Sequence, residues 1–354
     1  MYLFFLWLAA YFQPLAEVKL PANIRRSPAR PMLFSQTERF RLHATPASAP
    51  GYPMVIEYGG FMRADGQRLV VPSGNYLDSK TSWSISGVAW AAGEELQPVP
   101  ERLDIIYFSY AEDQFYEGKF ALPQQQLYKL LKAGYWNTDS KQQITYNTLV
   151  VSVLPKGLVV VWLAGEGRRV LVGQFRAHAS DADYQRFHPG SDRAQTVRYN
   201  QAHLPLGVQQ QLKAGTISSR LWENYLRPYC WQLALPPTLK LSRYTIGYWS
   251  EEVSQYPDSQ DLVSYVQALL TPHQRAAPKS LRLYVRDEAG QAHQLRIRQF
   301  DEAETLAAFQ QLHGKSPLLL QVEADKYLKE VKLVLTNGSQ HLPLTKTIVE
   351  VVHL

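Results

Sequence analysis

Six consecutive apolar residues, Leu158-Val159-Val160-Val161-Trp162-Leu163, do most to limit what this chain can become. A strand with one face in water alternates apolar and polar residues. An unbroken apolar run demands burial on both faces. Its surroundings are equally regular. Leu149–Leu154 comes before it across the turn Pro155-Lys156-Gly157, which predicts a hairpin, and Gly165-Glu166-Gly167 turns the chain again into Val170–Phe175. Upstream, the apolar run starting at Leu103 and the stretch QFYEGKFALP lead into a helix. Pro123 stands where a first helical turn needs no backbone donor, and Leu127, Leu130 and Leu131 share one face. Gly134 is placed to close that helix. The block from Leu103 to His178 therefore specifies a scaffold.

The rest of the chain is built around this block. Phe40–His43, Met54–Tyr58, Arg68–Val71 and Trp83–Trp90 read as strands, with a loop over Pro72–Thr81. Residues 179–200 turn polar and irregular and mark an expected linker. Beyond it, Leu204-Pro205 opens a helix ending at Gly215, and Trp222, Tyr225 and Leu226 lie on another, stopped by Pro228. Asp258 or Ser259 precedes a helix carrying Leu262 to Leu270, and Asp301 with Glu304 forms a capping box. Leu318–Val322 and Val331–Leu335 read as strands, with Asn337-Gly338 turning back into Ile348–Val352. Short hairpin links leave no room for crossover helices. The expected class is α+β, with two mainly antiparallel β-sheet domains at 34–178 and 201–354, each with short covering helices.

Two segments precede the first domain. Residues 1–16 are almost wholly apolar, too short to span a bilayer and closer to the core of a secretory signal. Residues 17–33 are rich in Pro, Arg and Ala and read as a flexible spacer. Export to the periplasm or cell envelope is the expectation, with membrane association only through the N-terminal segment. A net charge of +6 favours acidic partners, but without a Lys/Arg-rich run nucleic acid is not among them. Cys230 is the single cysteine, so neither an internal disulfide nor a thiolate metal cluster can form.

Motifs that would carry chemistry fail on inspection. His313-Gly314-Lys315-Ser316 resembles the end of a phosphate loop, but Phe309 stands where the first glycine belongs and Pro317 follows. No two histidines lie three or four residues apart, and no serine sits in a nucleophile elbow. Glu112-Asp113 reads as a turn between strands. No catalytic residue, metal ligand or cofactor is expected. One constellation remains. Arg282, Tyr284 and Arg286 alternate with Leu281, Leu283 and Val285; after Asp287–Gly290, Arg296 and Arg298 alternate with Leu295 and Ile297. If both apolar sets face the core, period-two geometry puts all four arginines on one outward face. That requires an odd loop with a bulge at Gly290. Arginines around a tyrosine suit an acidic protein partner.

The segments Trp83-Ser84-Ile85-Ser86-Gly87, LDIIYFSYAEDQFYEGKFALP, LYKLLKAGYW, TYNTLVVSVLPKGLVVVWLAG and RRVLVGQF resemble an uncharacterised family of Gram-negative envelope proteins. Many of its members are described as lipoproteins. The likeness runs from Trp83 to His178 and continues, more weakly, through Leu221–Pro236. It implies export, although this chain has no lipid-attachment cysteine. It supplies no catalytic residue. The expected function is a non-catalytic periplasmic interaction protein, of the immunity or accessory kind. The many Tyr and Trp residues leave glycan binding or cleavage as the alternative.

Overall fold

The computed structural model describes residues 38–79, 82–85, 96–314, 316–325 and 327–354. The expected signal-like segment and spacer, and most of the strand expected at Trp83–Trp90, lie outside them. The architecture is α+β, with mainly antiparallel sheets and short helices.

The block at Leu103–His178 folds largely as its pattern dictates. Thr148–Val153 and Leu158–Gly165 pair antiparallel, with Val153 opposite Val159. Arg168–Arg176 returns along the other side, with a bulge beside Trp162. The turn between the first two strands requires Gly157: its φ is +76°, and a Cβ there would meet the Ala177 carbonyl oxygen at 2.2 Å. Every residue from Leu158 to Leu163 is buried, each worth about 1.5–3 kcal/mol of apolar burial. Trp83 packs edge-on against Trp162 at 4.9 Å, and the Trp162 indole N–H donates to the Ser250 carbonyl at 3.0 Å. The helix Gln124–Ala133 buries Leu127 and Leu131, as its spacing requires.

Those three strands belong to a nine-stranded sheet. Its order is His43–Ser48, Thr148–Val153, Leu158–Gly165, Arg168–Arg176, Val253–Ser254, Lys240–Tyr248, Pro278–Arg286, Ala292–Ile297, Glu350–His353. A second sheet of six strands is centred on Met54–Met62, Arg102–Ser109 and Gln114–Ala121, and a third of five on Tyr229–Ala234, Leu318–Ala324 and Val331–Thr336. Residues Glu38–Leu354 form one compact unit, and strands from both sides of 179–200 share the nine-stranded sheet. The stretch expected as a linker is itself folded. Helices Tyr184–Phe187 and Arg193–Ala202 lie there, and Tyr184 and Val197 join Val55, Phe108, Tyr110 and Phe115 in a small separate core.

Several local expectations change. Among the described residues two strand pairs are parallel: His43–Ser48 with Thr148–Val153, and Tyr229–Ala234 with Leu318–Ala324. Their partners are distant in sequence, so hairpin logic could not reveal them. Asn337-Gly338 turns Val331–Thr336 into His341–Pro343, while Glu350–His353 crosses to the nine-stranded sheet and pairs with Ala292–Ile297. The capping box is half made. Asp301 accepts from the Glu304 N–H at 2.9 Å, but the Glu304 carboxylate accepts from the Thr345 and Lys346 N–H groups instead.

Candidate functional site

Alternation along Pro278–Arg286 and Ala292–Ile297 divides their side chains between two environments. Leu281, Leu283, Val285, Leu295 and Ile297 are buried in the core. The other face carries the arginines. The five-residue connection Asp287–Gln291 closes with the Asp287 N–H on the Gln291 carbonyl at 3.1 Å and Gly290 at φ +83°. That register sets Arg282 directly opposite Arg296 and Tyr284 opposite Gln294. Arg286 shares the face but bends to the turn, where its guanidinium donates to the Gly290 carbonyl at 3.0 Å. Arg298 follows the strand and reaches Glu350 at 3.0 Å.

Two neighbouring strands complete the surface. Lys240–Tyr248 places Arg243 opposite Tyr284 and Thr245 opposite Arg282. The Arg243 guanidinium lies 4.2 Å from the centre of the Tyr284 ring. On the other side Glu350 stands opposite Arg296, with the charged groups 3.9 Å apart. Thr245, Ser280, Arg282, Arg296 and Arg298 line a concavity of about 320 Å³. Partial burial pushes the Tyr284 hydroxyl pKa up, but hydrogen bonds and positive charge from Arg243 and Arg282 outweigh it and hold the pKa below 10.0. The tyrosine thus reports a locally positive potential. Neither Arg243 nor Glu350 follows from the local pattern. A register irregularity between Leu241 and Arg243 obscures the first, and a long-range strand pairing supplies the second.

A second polar cluster lies inside the protein. Glu251, itself at φ +65°, accepts from Ser82 at 2.9 Å, Ser84 at 3.0 Å and Lys279 at 2.6 Å. Arg169 donates to Ser84 at 2.6 Å and to the Glu251 carbonyl at 3.0 Å. The cluster ties the Trp83-Ser84 segment to the strand that carries Arg282. Apart from the buried Arg169 Nε, its groups are committed to each other, which makes it a support.

Histidines far apart in sequence also meet. The His293 and His353 Nδ1 atoms are 2.9 Å apart, and His293 Nε2 is 3.0 Å from Asp287. Among the described residues no group of three His, Cys, Asp or Glu side chains could hold a metal ion. His188 meets the buried Glu57 carboxylate at 2.6 Å. From the loop at Pro72–Thr81, Tyr76, Asp78 and Ser79 border a smaller hollow with Asn200 and His203, of about 160 Å³. Trp83, Trp162, Trp222, Trp231 and Trp249 are buried, and Cys230 is half-buried on Tyr229–Ala234. No described helix is long and apolar enough to cross a membrane.

Fold and surface together define an α+β protein whose main sheet shows an arginine-bearing face. The chain belongs to the DUF2931 family of proteins of unknown function, whose model matches residues 34–216, more than half its length. Comparison with curated proteins and with solved structures gives no match. The match takes in the Leu103–His178 block but stops short of Arg243, Arg282, Arg296, Arg298 and Glu350.

Proposed function

We propose that this is a non-catalytic interaction protein of the bacterial cell envelope, which holds an acidic protein partner against its arginine face. A periplasmic location and a role of the immunity or accessory kind belong to the same proposal. One observation carries it: the register that sets Arg282 opposite Arg296 on the outward side, with Arg243 and Arg298 alongside. Arginine suits such a surface because its planar fork pairs with carboxylates through two parallel hydrogen bonds. Glycan binding gains less support, because five tryptophans that could stack on sugar rings are in the core.

The test is charge reversal. The double variant Arg282→Glu, Arg296→Glu should lose a partner that the wild-type chain retains from periplasmic extract. Raised salt should weaken the wild-type complex in the same direction. Retention of that partner by the folded double variant would remove the reading.

A further inference from the structure

We infer that the concavity between Thr245, Ser280, Arg282, Arg296 and Arg298 is a binding site for a doubly charged phosphate group. The inference rests on the arginine face being the binding surface and specifies the chemistry that anchors there. Charge balance is the first argument. Three guanidiniums border the hollow, and Arg296 and Arg298 share a single carboxylate, Glu350. Among the described residues no carboxylate forms an ion pair with Arg282. Arg243, next along the face, has Asp139 at 3.8 Å to offset it. About two positive charges are therefore left at the hollow, and a phosphate monoester carries about −1.5 to −2 at neutral pH.

Donor geometry is the second argument. Arg282 and Arg296, directly opposite on adjacent strands, can approach a tetrahedral oxyanion from two sides; Arg296 turns Nε and Nη2 to the Gln294 side-chain oxygen at 3.1 and 2.6 Å, a pair that the anion would take over. Thr245 lies opposite Arg282, and Ser280 opposite Gly247, so two hydroxyl donors stand on the same face. Gly247 leaves space for this arrangement: a Cβ there would come within 2.9 Å of the Ser280 hydroxyl. Two residues along the strand from Arg282, partial burial pushes the Tyr284 hydroxyl pKa up, but hydrogen bonds and charge from Arg243 and Arg282 hold it below its ordinary value.

Such a group can come free in solution or on a lipid headgroup, and titration of the full chain separates the two. Inorganic phosphate is titrated calorimetrically, with acetate as a singly charged control. In parallel, vesicles of phosphatidylcholine with phosphatidic acid are compared with vesicles of phosphatidylcholine alone. Binding of phosphate over acetate, lost about tenfold or more in Arg282→Gln and in Arg296→Gln, supports the site and a soluble source. Retention only on phosphatidic acid vesicles, with the same loss in both variants, supports the site and a lipid source. Arg282→Lys keeps the charge without the fork and should fall between wild type and Gln. No binding in either arm, or binding indifferent to both arginines in variants with wild-type circular dichroism, overturns the inference. A protein partner lost on charge reversal while phosphate fails to bind would sink this site and leave the protein-binding reading standing. Phosphate binding without any protein partner would do the reverse.

Discussion

The two ends of the nine-stranded sheet solve different problems with the same backbone geometry. At one end, Thr148–Val153 and Leu158–Gly165 are buried almost throughout, and Trp162 is wedged between Trp83 and the Ser250 carbonyl. At the other, Leu281, Leu283, Val285, Leu295 and Ile297 go to the core while Arg282, Arg286 and Arg296 turn outward. The first end is committed to stability, because nearly every side chain there has lost its water. The second keeps one face in contact with solvent, where charge costs little to maintain and remains available to a partner. The family match covers the first end and stops before the second.

The largest effect is expected at Trp162. Trp162→Ala should cost about 3–5 kcal/mol in urea unfolding, from lost burial plus the cavity left behind. A loss below about 1 kcal/mol would mean that this end is not the stabilising one. Glu251→Ala comes next, at about 3 kcal/mol, since it strands Lys279 and Arg169 beside a buried site. It also asks whether the two ends are coupled: weaker partner binding in a still-folded Glu251→Ala protein would show that the buried cluster positions the arginine strand.

A smaller effect is expected with pH. Burial raises the Glu57 carboxyl pKa above its ordinary 4.5, against the opposing charge and hydrogen bond of His188. The folded state then binds more protons than the unfolded one. Glu57 therefore contributes most below pH 4.5, and the contribution is lost as pH rises through the raised folded value. Glu57→Gln should flatten that part of the stability–pH curve; an unchanged slope would assign it to other groups. Smaller still is the stability effect of Arg282→Glu with Arg296→Glu, within about 0.5 kcal/mol per site for exposed or half-exposed charges. A larger loss would make the arginine face structural and erase the contrast. The finest test leaves stability aside. Ultraviolet difference titration against Tyr284→Phe should place Tyr284 ionisation below pH 10.0 and shift it upward in Arg282→Gln.

Much of this was legible from residue order. The unbroken run at Leu158–Leu163 announced burial on both faces, and the Leu127, Leu130, Leu131 spacing announced a helix. Alternation through Arg282, Tyr284 and Arg286, given an odd-length loop at Gly290, determined which side chains would share a face. These are local properties, set by the two-residue period of a strand and by turns that tolerate positive φ. Long-range pairing was not legible. Nothing near Glu350 shows that its strand leaves the Asn337 hairpin to lie beside Arg296, and nothing near Arg243 places its guanidinium over Tyr284. The parallel pairs, the His293–His353 contact and the sharing of one sheet across 179–200 have the same origin. By itself the sequence determined which residues face inward and which outward. Only the tertiary structure decided which outward faces lie side by side, because strand pairing between segments distant in sequence is chosen by total burial and backbone hydrogen bonding, which no short stretch of chain encodes.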